Sequence, residues 1–303
     1  MTVTAQPQGA PLPTPQAPPT MQEAPPLPAP PPPAAAYPPE ELDRIVSPIA
    51  LYPDPLLGQV LTACTFSPQV PDAARWADQH HYLQPAALPA AIASDQLPFE
   101  PSVQALLPFP SVLGMMASDM PWTEELGSAF LADPQSVMDA VQRMRQRASS
   151  YGYLRSTPQV IVRGGPYIEI LPVDPAYVVV PYYSPAVVFV APRRGIVVTS
   201  AIHYGFGVTI GTAFAPWGWG STRFAWGSHA LFINNAPWGR TWANRTVYVH
   251  PYAVPRRVVA ARVAPPHVVE EHRAIVRSAK EREAERTGHA RPEEHRRDNK
   301  PPR

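Results

Sequence analysis

Proline marks where helices should begin throughout the first half of this 303-residue chain. In Asp54-Pro55 and Asp133-Pro134 an acidic residue precedes the proline, and Ser67-Pro68 and Glu100-Pro101 are variants of the same pair. Proline suits the first helical position because its missing N–H would have no partner there, and the residue before it can cap the free amides. Apolar residues at helical spacing follow these pairs. The sequence therefore predicts a compact helical domain of about six or seven short helices over residues 40–155.

The hydrophobic period changes near Thr157. Residues 159–163 and 167–171 are short runs rich in Val and Ile, and the Gly-Gly-Pro between them predicts a β-hairpin. Further strand candidates lie at residues 176–183, 186–191, 195–199 and 246–249. The predicted fold class is α+β: an N-terminal compact bundle of short helices followed by a small Gly/aromatic-rich β domain over residues 156–255.

The two ends of the chain have a different composition. Residues 1–39 contain fifteen prolines and Glu23 as their only charge, so they predict a disordered Pro-rich leader with polyproline II character. This leader can act as a tether or as a ligand for a proline-binding module. Residues 256–303 are expected to form a charged tail, helical over 267–287 and disordered beyond Gly288.

Charge and hydropathy exclude some classes of protein. The net charge is +1, and residues 254–303 carry 13 basic against 8 acidic side chains. A nucleic-acid protein needs a dense basic face, so we expect no nucleic-acid partner. The sequence has no run of about 18 apolar residues, so we predict no transmembrane helix. No secretory signal follows Met1, so either the protein is cytoplasmic or the true start lies upstream of this sequence.

Catalytic and metal-binding motifs are absent. Neither HExxH, GxSxG nor a Gly-rich phosphate loop occurs, so no cofactor and no metal site are expected. Cys64 lies in an apolar helical run and is expected to be a buried small hydrophobe rather than a nucleophile. His203, His229 and His250 would converge only if the fold brought them together, and His80-His81 are adjacent, which makes a shared site difficult.

Carboxylates and a tyrosine in the helical region allow one catalytic hypothesis. Two carboxylates in a cleft can perform general acid/base work. The structural alternative is that Asp54 caps a helix and that Asp72 and Asp78 lie on a solvated helix face. The candidates are Tyr52, Asp54, Asp72, Asp78, Glu124 and Glu125.

A cluster of tryptophan and arginine is the strongest indication of binding. Five of the seven tryptophans fall within 26 residues, and Trp and Arg dominate the energetic centres of interfaces. They can form a surface for a sugar or a protein partner, or they can fill the core of the small β domain. The candidates are Trp217, Trp219, Arg223, Trp226, Trp238, Arg240 and Trp242.

Ordered motifs over residues 41–185 resemble the bacterial family known as domain of unknown function 3300. They are LDRIVSPIALYPDPLLGQVL, DAARW, PSVQALLPFPSVLGMM, WTEELGSAFLADPQSVMDAVQRMRQRA and YVVVPYYSP. The resemblance implies an exported or membrane-anchored envelope protein of Gram-negative bacteria, and no catalytic residue. This chain departs from it in lacking an export signal and in carrying Cys64 where members often have Ser.

Two main functions remain open at this point. The first is a non-catalytic cell-envelope or periplasmic protein that binds a protein partner or cell-wall glycan through its helical domain and Trp/Arg-rich segment. The alternative is an envelope hydrolase whose site is assembled in the helical domain from Tyr52 with Asp54 or Glu124. A cytoplasmic interaction protein is a third possibility.

Overall fold

The computed structural model describes residues 37–192, 201–205 and 207–254. The chain divides into two units, Met1–Ala35 and Ala36–Arg303, and every described residue lies in the second. Most of the predicted leader, the strand expected at 195–199 and the charged tail lie outside the described residues.

The prediction of an α+β fold that begins with short helices is confirmed. Over the described residues the helices are α1 Pro39–Val46, α2 Asp54–Cys64, α3 Val70–Gln79, α4 Leu88–Ser94, α5 Pro101–Gln104, α6 Pro110–Ser118, α7 Met120–Ala132, α8 Pro134–Ser150 and α9 Pro185–Val188. In this part of the chain no helix is both long and apolar enough to cross a bilayer.

Each of the helices α1 to α8 has proline at its first or second position. Asp133 caps α8 by accepting a hydrogen bond from the backbone N–H of Ser136 (3.1 Å), as predicted. Asp54 does not cap α2, which begins without a side-chain cap, so that expectation is wrong. Its carboxylate is instead turned toward the interior, where it pairs with an arginine of α8.

The strands are short and pair in small antiparallel sheets. They are β1 Val160–Arg163, β2 Glu169–Pro172, β3 Tyr177–Val178, β4 Pro181–Tyr183, β5 Ile202–Tyr204, β6 Val208–Thr209, β7 Arg223–Ala225, β8 Ala230–Ile233 and β9 Ala236–Pro237. The predicted hairpin is β1 paired with β2, with Ile161 opposite Leu171 and Arg163 opposite Glu169. Within the described residues β3 pairs with β6, β4 with β5, and β8 lies between β7 and β9.

Two strand predictions are wrong. Residues 186–191 contain most of the short helix α9. This helix begins at Pro185, directly after Ser184, so proline marks a helix start here too. Residues 246–249 do not form a strand, because the chain turns from Trp242 to Val247. Val247 and Val249 are both largely exposed, so these two valines do not form the buried face of a strand.

Helix α2 lies at the centre of the molecule. Every residue of α2 except Pro55 is buried, which is the pattern of a helix surrounded by protein on all sides. It packs against α5 and α7 on the helical side and against β2 and β7 on the other. Helix α7 approaches so closely that a Cβ on Gly127 would lie 2.1 Å from the carbonyl oxygen of Cys64. The helices and the later strands thus share one hydrophobic core.

Candidate functional site

A buried ion pair joins α2, α8 and the hairpin. Nη1 of Arg145 lies 2.6 Å from Oδ1 of Asp54, and the Arg145 side chain has no exposed surface. The guanidinium also donates to the carbonyl oxygens of Ala50 (2.9 Å), Tyr52 (3.0 Å) and Ile168 (2.8 Å). Such a charge is tolerated in the interior only when its donors are satisfied, and these contacts meet that condition.

Trp226 completes this network. It belongs to the aromatic segment, the stretch from Trp217 to Trp242 that contains five tryptophans. Its Nε1–H donates to Oδ2 of Asp54 at 3.1 Å, and the Arg145 guanidinium carbon lies 5.0 Å from the centre of its ring. The ring also stacks on Phe224 at a centroid distance of 4.3 Å. The buried ion pair therefore fixes the position of an aromatic pair that lies just beneath the surface.

Side chains close both edges of the hairpin. On β1, the N–H of Val162 donates to Oγ of Ser156 (2.9 Å) and the N–H of Val160 to Oγ1 of Thr157 (3.2 Å). On the β2 side, Gln142 accepts from the N–H of Ile168 (2.8 Å) and donates to its carbonyl (3.0 Å). The N–H of Ile170 points to Oδ1 of Asp54 at 3.4 Å. Free backbone groups on an exposed sheet edge attract further strands. Here the backbone groups just named are already bonded to side chains.

The outward face of the hairpin borders two adjoining depressions, which we call the hairpin groove. The larger, about 540 Å³, lies between residues 163–169 and residues 224–228. The smaller, about 290 Å³, is bordered by the outward residues of both strands and by Pro55, Pro175 and Thr222. Arg163 lines both, so the two depressions adjoin at this side chain.

The groove contains one pair of opposite charges, and its other lining side chains are apolar or uncharged. Nη1 of Arg163 and Oε2 of Glu169 face each other across the strands at 4.0 Å, with 62% of the Arg163 side chain and 39% of the Glu169 side chain exposed. Exposed apolar surface comes from Ile161 and Val173, which are 36% and 50% exposed. Phe224 and Trp226 border the larger depression but are themselves buried, at 7% and 4%. The groove is thus a surface for contact with no assembled catalytic pair.

The tryptophans predicted as a binding cluster are mostly inside the protein. Trp217, Trp219, Trp226 and Trp238 are buried and Trp242 is half-buried. Three of the indoles donate hydrogen bonds to residues of the helical region. Trp217 donates to Gln104 (3.0 Å), Trp219 to the carbonyl of Ala105 (2.8 Å) and Trp242 to the carbonyl of Ser128 (3.2 Å). This burial agrees with the core alternative, except that the core they fill is shared with the helices.

The two candidate arginines lie in different environments. Arg223 is exposed and its guanidinium covers the ring of Phe232 at 4.2 Å. Arg240 is buried, covers the ring of Phe66 at 3.7 Å and donates to the carbonyl of Thr65. Of the seven residues predicted as a binding surface, only Trp226 lines the hairpin groove.

The carboxylates proposed for acid/base work are separated. Asp54 is held by Arg145, Asp72 pairs with Arg75 on the surface (3.0 Å), and Glu125 pairs with Arg44 (2.6 Å). Asp78 and Glu124 are exposed. Burial raises the pKa of Tyr52 well above its usual value, and its hydroxyl contacts the sulfur of Met115 at 3.7 Å. The hairpin groove contains none of these six residues.

The three histidines of the β region do not converge on one another. His203 is exposed, His229 pairs with Asp139 (2.8 Å), and Nε2 of His250 lies 3.1 Å from Glu100. Nδ1 of His250 accepts the N–H of Tyr252 at 3.2 Å. Among the described residues no three His, Cys, Asp or Glu side chains are grouped to hold a metal ion.

Cys64 is buried, and burial raises the pKa of its thiol strongly. The thiolate is the nucleophilic form of cysteine. The packing of Cys64 in α2 against α7 therefore agrees with its prediction as a small hydrophobe.

Sequence reasoning missed Arg145 and Gln142. Both lie on α8 at helical spacing from Met138 and Val141, so they fall on its buried face. A polar or charged residue on an otherwise apolar stripe indicates a buried bond, and this signal was present in the sequence. It did not identify the partners, because Asp54 and Ile168 are distant along the chain.

Comparisons of the sequence with known proteins identify its family. The model of the family described as "Protein of unknown function (DUF3300)" matches residues 38–260, which takes in the aromatic segment as well as the helices. An uncharacterised protein of Escherichia coli (strain K12), YacH, is 32% identical over 218 residues; the match covers 57% of this chain and 35% of YacH. The chain thus matches about a third of the length of that relative. No solved structure gave a significant match. The family predicted from the ordered motifs is confirmed, and the chain belongs to DUF3300.

Proposed function

We propose that this protein is a non-catalytic cell-envelope protein that binds a protein partner in the hairpin groove. The observation that carries the proposal is the groove itself: an apolar depression whose polar neighbours are held in structural bonds. Arg145, Asp54 and Trp226 bond one another beneath it. A site for binding needs this kind of fixed, mostly apolar surface.

The charges in the groove argue against the hydrolase alternative. Glu169 is the carboxylate that lines it, and it faces Arg163 rather than a second acid. Glycoside hydrolysis in its usual form needs two carboxylates about the scissile bond. Tyr52 and Asp54, the pair proposed for catalysis, are buried and contact other protein groups.

A protein partner is favoured over a glycan by the burial of the aromatic rings. Sugar stacking needs an open ring face, whereas Phe224 and Trp226 face each other and Trp226 also faces Arg145. The most exposed apolar side chains in the groove are aliphatic, those of Ile161 and Val173, while the ring of Tyr167 is half-buried. Aliphatic surface of this kind is buried by protein side chains through the hydrophobic effect.

Site-specific photocross-linking in the native host tests this function. A benzoylphenylalanine replaces Ser228, which is exposed and lines the groove, and in a control it replaces Glu124, which is exposed on α7 outside the groove. We expect a discrete protein adduct from position 228 and none from position 124. Equal adducts, or turnover of a cell-wall or peptide substrate that one carboxylate change abolishes, would contradict the proposal. Fractionation with mass spectrometry of the mature N-terminus tests the envelope location.

A further inference from the structure

An extended peptide cannot bind in the hairpin groove by adding a strand to the edge of the hairpin. Addition of a strand requires a row of free backbone N–H and C=O groups on a sheet edge. The N–H groups of Val160 and Val162 bond Thr157 and Ser156. On the opposite edge, Ile168 bonds Gln142 and Arg145 through both its backbone groups. A peptide in this groove is therefore not held by pairing with a strand edge.

The lining of the groove favours a rigid, apolar ligand. Prolines contribute at four places, Pro55, Pro166, Pro172 and Pro175, and their rings form fixed ridges because proline has few conformations to lose. Between them the exposed side chains of Ile161 and Val173 offer aliphatic surface. A ligand that is already rigid loses little conformational entropy on binding, so a preformed segment binds such a surface at a low entropic cost.

The charge of the groove favours an uncharged ligand. Arg163 and Glu169 carry opposite charges 4.0 Å apart, so together they attract neither an acidic nor a basic peptide. Arg163 remains 62% exposed at the point where the two depressions meet. Its guanidinium has five N–H donors, which suits it to bond the free backbone carbonyls of a segment that lacks internal hydrogen bonds.

We propose that the hairpin groove binds an uncharged proline-rich segment of a partner protein in the polyproline II conformation. This inference rests on the function proposed above and names the chemistry of the partner. Polyproline II has no internal hydrogen bonds and leaves its carbonyls free, which matches the closed edges and the Arg163 donors. Four-residue strands extend about 13 Å, and at about 3.1 Å per residue the groove accommodates roughly four ligand residues.

Fluorescence polarisation with the full chain tests the inference. The probe is a labelled ten-residue proline-alanine peptide without charges, and a labelled Gly-Ser peptide of equal length is its control. The groove variant is Val173→Asp, and the matched control is Val187→Asp, since Val187 has similar exposure (46%) and lies outside the groove. Circular dichroism checks that both variants fold.

The expected result is saturable binding of the proline peptide and none of the Gly-Ser peptide. Val173→Asp should weaken binding about tenfold, the loss expected for one buried valine contact, while Val187→Asp should change it less than about twofold. Equal binding of both peptides, or equal affinity in both variants, would overturn the inference. A third probe carries the sequence of residues 25–33; binding of that probe alone would assign the groove to the chain's own segment and overturn the claim of a separate partner.

The two proposals can fail separately. If the proline peptide does not bind but position 228 still gives a protein adduct, the groove is a binding site for a different chemistry, and only this inference falls. If neither result is obtained, the proposed function falls with it.

Discussion

Arg145 and Asp54 are 91 residues apart in the chain, yet their side chains meet at 2.6 Å in the interior. The contact joins the first residue of α2 to the middle of α8. Since a buried charge without its partner is costly, each residue depends on the other. The same carboxylate accepts the indole N–H of Trp226, so the pair also holds one residue of the aromatic segment against α2.

Removal of the Arg145 charge should destabilise the protein strongly. In Arg145→Met a side chain of similar length leaves Asp54 buried without its cation, and we expect a loss of about 3–5 kcal/mol in the free energy of unfolding. Urea denaturation followed by circular dichroism measures it. Arg163→Met, at an exposed position, is the matched control and should change stability by less than about 0.5 kcal/mol. Similar losses in the two variants would show that the buried pair has no special role.

The close approach of α7 to α2 predicts opposite effects for two glycine substitutions. Gly127→Ala places a methyl group 2.1 Å from the Cys64 carbonyl, and the backbone must move, at a cost of at least about 1–3 kcal/mol. Gly114→Ala on α6 meets no atom within 4 Å and should stabilise by about 0.5–1 kcal/mol because alanine favours helix. Thermal unfolding of both variants compares them directly. A neutral Gly127→Ala would mean that the two helices are further apart than described.

The Cys64 thiol should be unreactive in the folded protein. It is fully enclosed, and burial raises the pKa of the thiol so that thiolate is scarce at pH 8. An aromatic disulfide reagent should therefore label the native protein at least about a hundredfold more slowly than the urea-unfolded protein, since labelling follows exposure and thiolate content. Cys64→Ser, which provides the blank, should fold with a modest loss of stability. Rapid labelling without denaturant would contradict the buried position.

Alkaline pH should unfold the protein as buried tyrosines lose their protons. Burial raises the pKa of Tyr204 to about 12, and it also raises the pKa values of Tyr183 and Tyr252. An unfolded tyrosine ionises near pH 10, so above that pH the unfolded chain releases protons that the folded chain keeps. The contribution of each such tyrosine to the free energy of unfolding is fully present below pH 10. It falls by about 1.4 kcal/mol per pH unit as the pH rises toward 12.

Urea titrations at pH 9 to 12 measure that slope, with absorbance at 295 nm reporting tyrosinate. Tyr204→Phe should reduce the slope by the contribution of one group. Tyr82→Phe, at an exposed position, should leave it unchanged. If tyrosinate appeared at pH 10 before any loss of helical signal, the buried positions of these hydroxyls would be contradicted.

Local patterns in the sequence predicted the helices well because proline acts locally. Pro134 has no N–H to satisfy and Asp133 caps the amides next to it, so the start of α8 follows from neighbouring residues alone. The hairpin was predicted for a similar reason, since its turn and both strands lie within 13 residues. The error at residues 186–191 came from valines that suit a strand but follow Pro185, which begins α9.

The candidate site could not be predicted because its residues meet only in the fold. Asp54-Pro55 has the pattern of a capped helix, and no local signal shows that Arg145 and Trp226 will reach the same carboxylate. The tryptophan cluster is a parallel case. Its density indicated importance, but whether Trp217 and Trp219 face solvent depends on Gln104 and the carbonyl of Ala105, which accept their indole protons.

The shared bonds of α2 restrict how this family can exchange parts. Gln59 of α2 donates to Thr222 and to the carbonyl of Trp217 (both 3.0 Å) and accepts from the hydroxyl of Tyr252 (2.8 Å). A recombinant that took its helices from one relative and its aromatic segment from another would bring together donors and acceptors that had never been selected as neighbours. Crossovers between residues 64 and 217 should therefore survive only between close relatives, and we expect the two parts to be exchangeable only as a matched set.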